Sequence, residues 1–276
     1  MSDEVILRVR GLYKHFGGLT AVNDVSFDAI RNQIFAIIGP NGAGKTTLFN
    51  LISGTHRMDA GEVYFDGGQI VGLRPSQIAK LGLTRTFQNL QIFGNMTVLE
   101  NVLVGCHQHG SVGFLAAALR WPGTAAEETR LQEQAHHYLN LVGLADRAGD
   151  PAMSLPYGQQ RLVEIARALA VQPKLLLLDE PAAGLTRVEA EALDKLICKI
   201  RDDGITVLLV EHDMNLVMGI ADKVVVLHYG TKIAEGTARK VQSNPQVIEA
   251  YLGVDWHQDE QMPWLEEVID VEADNA

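Results

Sequence analysis

Cysteine is nearly absent: the 276 residues hold only Cys106 and Cys198, far apart in the chain. A disulfide framework is excluded as an organising principle, and both are expected to be reduced, buried thiols. Aromatic residues are also sparse, at 6%. Long apolar runs are missing, since Ile34–Ile38 and Leu175–Leu178 fall far short of the roughly 20 residues that cross a bilayer. The opening MSDEVILRVRGLYK lacks the basic-then-apolar pattern of a secretory signal, so the chain is expected to stay in the cytoplasm. Any membrane crossing would come from another chain. A basic surface is lacking too. The net charge is −11, but Val254–Ala276 carries eight Asp/Glu and no Lys/Arg, which leaves 23 basic against 26 acidic residues elsewhere. Nothing there supports nucleic-acid binding. The acidic tail includes Trp256, Met262, Trp264 and Leu265, and reads either as an ordered docking strap or as a solvated tail.

What is present is an ordinary globular composition: 47% hydrophobic residues, 26 glycines and 9 prolines. Apolar residues alternate at Val5, Leu7 and Val9 and again at Val25 and Phe27, the period of half-buried strands. Ile34–Ile38 is an apolar run suited to a strand covered on both faces. Residues 62–73 read as a short hairpin around Asp66-Gly67-Gly68. Between about Thr97 and Leu155 the composition turns helical, with Leu131, Ala135, Tyr138, Leu139 and Val142 at helical spacing and a short helix expected at Gly113–Trp121. Strands resume at Leu175–Leu178, Thr206–Val210, Lys223–His228 and Lys232–Ala234. Strands alternating with helices predict an α/β fold with a mostly parallel sheet and an inserted helical subdomain.

Gly39-Pro40-Asn41-Gly42-Ala43-Gly44-Lys45-Thr46 follows the apolar strand and opens a helix, with the spacing G-x-x-x-x-G-K-T. Glycines let the backbone wrap closely enough for several N–H groups to face phosphate oxygens. The helix start, Lys45 to Thr47, adds unpaired N–H groups. Lys45 supplies a mobile charge for the β- and γ-phosphates, and the Thr46 hydroxyl suits Mg²⁺. Leu175–Leu178 then ends in Asp179-Glu180, at the carboxyl end of a strand where open α/β sheets bind ligands. Asp179 is placed to hold Mg²⁺ and Glu180 to polarise an attacking water. Paired acids ending a strand also occur as solvated termini, but the phosphate loop argues for the metal reading.

The stretch Leu155-Pro156-Tyr157-Gly158-Gln159-Gln160-Arg161, with Gln88 before it and Glu211-His212-Asp213 after it, completes an ordered motif set. Together these resemble the ATP-binding-cassette ATPases over roughly residues 5–253. The resemblance implies a P-loop NTPase of the ABC ATPase type, with a mostly parallel sheet core, an antiparallel β subdomain and a helical subdomain at about 97–160. Residues 254–276 form an acidic extension beyond it. By the same resemblance Phe16 stacks on adenine, although a core role for Phe16 stays open. Gln88 touches Mg²⁺ or the water, and His212 contacts the γ-phosphate. Gly158 and Gln159 face the phosphate held by the other subunit of a dimer, so that ATP closes the pair and hydrolysis reopens it.

Two departures stand out: Pro156 replaces the usual signature serine, and Thr186 replaces an aspartate common in the loop at the dimer interface. Further stretches, such as Phe16–Val22, Arg85–Asn89, Met96–Val102 and Ala250–Gly253, resemble the ATPases of branched-chain amino acid importers. That implies a companion ATPase subunit, two membrane permease subunits and an external substrate-binding protein, with this chain peripheral at the cytoplasmic face of a bacterial plasma membrane. A homodimer of the isolated chain is compatible with the same surfaces. Import of urea, amides or other amino acids is the alternative cargo reading. A soluble ATPase acting on ribosomes or DNA is the alternative of another class, and the single cassette and lack of a basic patch argue against it.

Overall fold

The computed structural model describes residues 4–86, 88, 90–107, 124–211 and 214–252. In chain order the elements are β1 (Val5–Phe16), β2 (Leu19–Ile30), β3 (Ile34–Ile38), α1 (Lys45–Ile52), β4 (Ala60–Phe65), β5 (Gly68–Gln69), α2 (Pro75–Leu81) and β6 (Leu83–Arg85). Then come α3 (Val98–Cys106), α4 (Thr124–Leu141), α5 (Tyr157–Ala170), β7 (Leu175–Asp179) and α6 (Arg187–Asp202). The last are β8 (Thr206–Val210), α7 (Met214–Ile220), β9 (Lys223–His228), β10 (Thr231–Gly236), α8 (Ala238–Gln242) and α9 (Pro245–Leu252). The described residues fall into two compact units, one from 4–73 with 206–252 and the other from 74–205.

In the first unit β3 runs parallel to both β8 and β9, and β10 adds antiparallel to β9. Every residue of β3 and β8 is buried, as expected of apolar strands covered on both faces. A separate antiparallel sheet has the order β2-β1-β4-β5. The strands β1 and β2 extend beyond the segments where alternation is legible, because register shifts between Val9 and Leu12 and again around Lys14 break the period of two.

In the second unit β6 pairs in parallel with β7, placing Arg85 beside Leu177. The helices α3, α4 and α5 pack on one another through Val98, Val102, Leu131, Ala135, Leu139, Val163 and Ala166, all buried. α3 starts at a capping box: the Thr97 hydroxyl accepts from the Glu100 N–H at 3.2 Å, and the Glu100 carboxylate accepts from the Thr97 N–H at 2.7 Å. Cys106 lies inside this helical packing, and burial pushes its thiol up to about 11. Cys106 is thus the buried thiol expected from the sequence, whereas Cys198 is half-buried rather than buried. The helix expected at Gly113–Trp121 and the acidic extension lie outside the described residues. No helix among the described residues is long and apolar enough to cross a membrane.

Candidate nucleotide site

The phosphate loop sits where β3 ends, in the first unit. Gly44 has φ +98°, and a Cβ there would lie 2.2 Å from the Ala21 carbonyl oxygen, so no side chain fits. The same neighbourhood is closed by the Gly230 N–H donating to the Ala43 carbonyl at 3.0 Å and the Asn23 N–H donating to the Gly230 carbonyl at 2.8 Å. Pro40 accepts from the Ala43 N–H at 3.1 Å and closes the turn that carries Asn41 and Gly42, both exposed. Lys45 is 6% exposed and donates to the Gly39 carbonyl at 2.6 Å and to the Pro40 carbonyl at 3.1 Å. The ammonium is thus held inside its own loop. Thr46 is exposed and Thr47 half-buried, both in the first turn of α1. The N–H groups of this turn have no partner within the helix, which suits an anion.

Phe16 ends β1 and is 43% exposed, so it is not a core residue. Its ring meets His56 edge-to-face at 5.9 Å, and the Lys14 ammonium lies 5.1 Å from its centroid. Sequence reasoning missed His56, whose only signal is an aromatic ring shortly after α1.

The acidic pair belongs to the second unit. Asp179 closes β7, is 1% exposed, and pairs with Arg85 at 2.6 Å through Oδ2. Its Oδ1 is buried without a hydrogen-bond partner. A buried carboxylate oxygen left in this way is costly unless something positive meets it. That vacancy of partners, on an oxygen donor, fits a hard divalent cation such as Mg²⁺. Arg85 was not legible as a site residue, because only the parallel pairing of β6 with β7 brings it to Asp179. Glu180 follows with φ 47°, a left-handed conformation uncommon for a residue with a side chain. Its Oε2 accepts from the Gln88 amide at 3.0 Å. Two residues 92 positions apart, both singled out from motifs, are therefore in direct contact. His212 lies outside the described residues.

The signature stretch opens α5. Pro156 is the N-cap, with φ −54° and ψ 153°, and its carbonyl accepts from the Gln160 N–H at 3.0 Å. Proline provides no side-chain cap, but the missing hydroxyl leaves the backbone N–H groups of Gly158 and Gln159 in place. A Cβ on Gly158 would lie 2.5 Å from the end of the Glu189 side chain, so that carboxylate would have to shift to admit one. Thr186 proves to be the N-cap of α6, in a capping box with Glu189: Glu189 accepts from the Thr186 N–H at 2.9 Å and from its hydroxyl at 2.7 Å. These bonds hold the Glu189 carboxyl below its usual range. Threonine and aspartate are both good N-caps, which explains how Thr186 keeps the helix start that an aspartate would otherwise form.

The apolar residues after Gln88 are not core: Leu90 and Ile92 are half-buried and Phe93 is 46% exposed. Phe93 is framed from behind by Asn101, whose side chain accepts from the Phe93 N–H at 3.0 Å and donates to its carbonyl at 3.2 Å. The Arg167 guanidinium stands 5.1 Å from its ring.

Known proteins resemble this chain in sequence and in fold. A family model described as ABC transporter matches residues 22–183, and one described as branched-chain amino acid ATP-binding cassette transporter matches residues 231–257. The high-affinity branched-chain amino acid transport ATP-binding protein BraF of Pseudomonas aeruginosa is 47% identical over 90% of this chain and 98% of its own length. The corresponding protein LivG of Escherichia coli is 44% identical over 91% of this chain and 99% of its own. Among solved structures, the ADP conformation of MJ1267, an ATP-binding cassette of an ABC transporter, superposes with a TM-score of 0.79 at 36% identity, covering 90% of this chain and 99% of that one. By these matches to its sequence and its α/β fold, this chain belongs to the ABC transporter ATPases, in the branch of the branched-chain amino acid transport ATP-binding proteins.

Proposed function

We propose that this chain hydrolyses ATP to energise import of branched-chain amino acids. It works peripherally at the cytoplasmic face of a bacterial plasma membrane, with a companion ATPase subunit, two permease subunits and an external substrate-binding protein. The cassette spans 5–253, with its helical subdomain at about 97–160 and the acidic extension at 254–276. The observation that carries the hydrolytic reading is the 3.0 Å hydrogen bond between Gln88 and Glu180, beside a buried Asp179 oxygen that lacks a partner.

Gly39–Thr47 cradles the phosphates, and Lys45 leaves its carbonyl partners to meet the β- and γ-oxygens. Phe16 presents an exposed ring face to adenine. Asp179, Thr46 and Gln88 are the groups that would hold Mg²⁺, which when bound neutralises charge developing on the phosphates. Glu180 orients and polarises a water, whose oxygen bonds to the γ-phosphorus as the bond to the β-phosphate oxygen breaks, leaving ADP and phosphate. His212 steadies that water and the γ-phosphate. Gly158 and Gln159 offer N–H groups to the γ-phosphate of the second subunit.

The test is Glu180→Gln, which keeps the size and the hydrogen-bonding reach but not the charge. Binding of a labelled ATP analogue is expected to be unchanged, while turnover falls by about 10²–10⁴, the usual contribution of general base catalysis. Near-normal turnover would refute the role of Glu180. Uptake of labelled leucine by the reconstituted complex, competed by isoleucine and valine but not by urea or short amides, checks the cargo.

A further inference from the structure

Arg161 has no part in the site described above, yet it is the largest fully buried side chain among the described residues, with 1% of the side chain exposed. A guanidinium in such a place is costly unless its charge and its donors are met. Its partners include three groups. The Glu164 carboxylate, itself 2% exposed, accepts from Nη1 at 2.9 Å. Nη2 donates to the backbone carbonyl of Gln88 at 3.0 Å and lies 3.3 Å from the Tyr157 hydroxyl. Tyr157, Arg161 and Glu164 follow the i, i+4, i+7 spacing that aligns one face of α5. Arg161 is therefore one point where the signature helix grips the segment bearing Gln88.

That segment is held on its other side as well. The Thr86 N–H donates to the Leu177 carbonyl at 2.9 Å, fixing the chain to β7 just before Gln88. Farther along, Arg167 of the same α5 donates to the Gln91 carbonyl. Between these anchors the Gln88 side chain reaches Glu180 at 3.0 Å. A run of contacts thus leads from Arg161 to the Gln88 peptide, from there to the Gln88 amide, and from the amide to Glu180.

We propose that Arg161 is a positioning residue for ATP hydrolysis: by holding the Gln88 peptide it keeps the Gln88 amide on Glu180, and so makes that contact depend on where the signature helix stands. The inference rests on the reading of Glu180 as the group that polarises water. It requires a guanidinium rather than a point charge, because the fork meets Glu164 and Gln88 at once. The phosphate loop is untouched by it, so loss of Arg161 lowers kcat and leaves the KM for ATP alone.

The test uses the full chain and a kinetic double-mutant cycle. Arg161→Met with Glu164→Leu removes both members of this buried pair together. Its expected result is an unchanged melting profile, unchanged binding of a labelled ATP analogue, a KM within twofold of wild type, and a kcat at least tenfold lower. Arg161→Lys, which keeps charge but not the fork, is expected to fall between. In a Gln88→Ala background the same pair of changes is expected to cost no further turnover, because its effect passes through Gln88. A full independent loss in that background would overturn the proposal, as would wild-type kcat in the pair. Should the pair fail to fold, Arg161→Lys with and without Gln88→Ala gives the same decision. Glu180→Gln is run alongside: if it retains turnover, the reading of the site has failed; if it loses turnover while the Arg161 variants keep theirs, only the positioning role has failed.

Discussion

The Lys45 ammonium lies 2.6 Å from the carbonyl oxygen of Gly39, six residues earlier and at the start of the same loop. The charge is stored on backbone oxygens of the loop proposed to receive phosphate. A phosphate oxygen that displaces those carbonyls gains a charge-assisted bond without having to draw the lysine in from solvent. Lys45→Ala is expected to weaken ATP-analogue binding by roughly ten- to a hundredfold, the equivalent of the ~1.5–3 kcal/mol of a hydrogen bond to a charged group. Titration with a fluorescent analogue measures it, and unchanged affinity would contradict the role.

Thr186 caps α6 and Glu189 returns the bond. Thr186→Ala should cost about 1 kcal/mol, as for other N-caps, and lower Tm by about 2–4 °C in a domain of this size. Thr186→Asp should restore most of it. A fall in Tm that aspartate leaves uncorrected would mean that the threonine serves something besides the helix start.

Phe93 is exposed, while Asn101 fixes its backbone on both sides. On the proposed transporter reading it is an aromatic anchor for a cytoplasmic segment of the permease. Phe93→Ala should change stability by less than about 1 kcal/mol, chiefly the contact with Arg167. Basal ATPase activity of the isolated chain should stay as it is, while substrate uptake by the reconstituted complex falls. Parallel loss of both with a lowered Tm would identify a folding role instead.

Glu235 sits between Lys223 and Lys232, at 2.5 Å from each. Burial pushes its carboxyl up, but the hydrogen bonds and charges of the two lysines outweigh burial, so its folded value lies below the ordinary one. A lowered carboxylate contributes stability that is present above the unfolded value and lost as the pH falls through the folded one. Glu235→Gln is therefore expected to melt earlier than wild type at neutral pH, with the gap narrowing below about pH 4, under the ordinary glutamate range. A gap that stays constant with pH would show that packing, and not charge, is what glutamine disturbs.

Local pattern revealed most of what local chemistry dictates. The runs Ile34–Ile38, Leu175–Leu178 and Thr206–Val210 are strands because a fully apolar run buries both faces, and the phosphate loop is visible because its spacing is chemical. The short α2 and β6 escaped, being too brief for periodicity to declare itself. The long α6 was not anticipated, although Thr186 and Glu189 stand three apart as a capping box should. Arg85 and Arg161 were illegible for a different reason. Each looks like a surface cation in sequence, and only pairing with Asp179 in one case and with Glu164 and the Gln88 carbonyl in the other makes it a buried one.

The lock between Gly44, Ala21 and Gly230 has a further consequence. Ala21 lies two residues beyond Leu19, the partner of Phe16 across the hairpin, so the aromatic ring and the phosphate loop are tied through a few backbone contacts that leave no slack. On the proposed assignment of Phe16 to the base, this half of the site works as a caliper with a fixed opening, gauging the span from base to phosphates. On that assignment ATP and ADP, which share the base and the first two phosphates, span the opening alike. On the same proposal, fuel and spent fuel differ only at the last phosphate, which this opening does not gauge, so telling them apart falls to other groups.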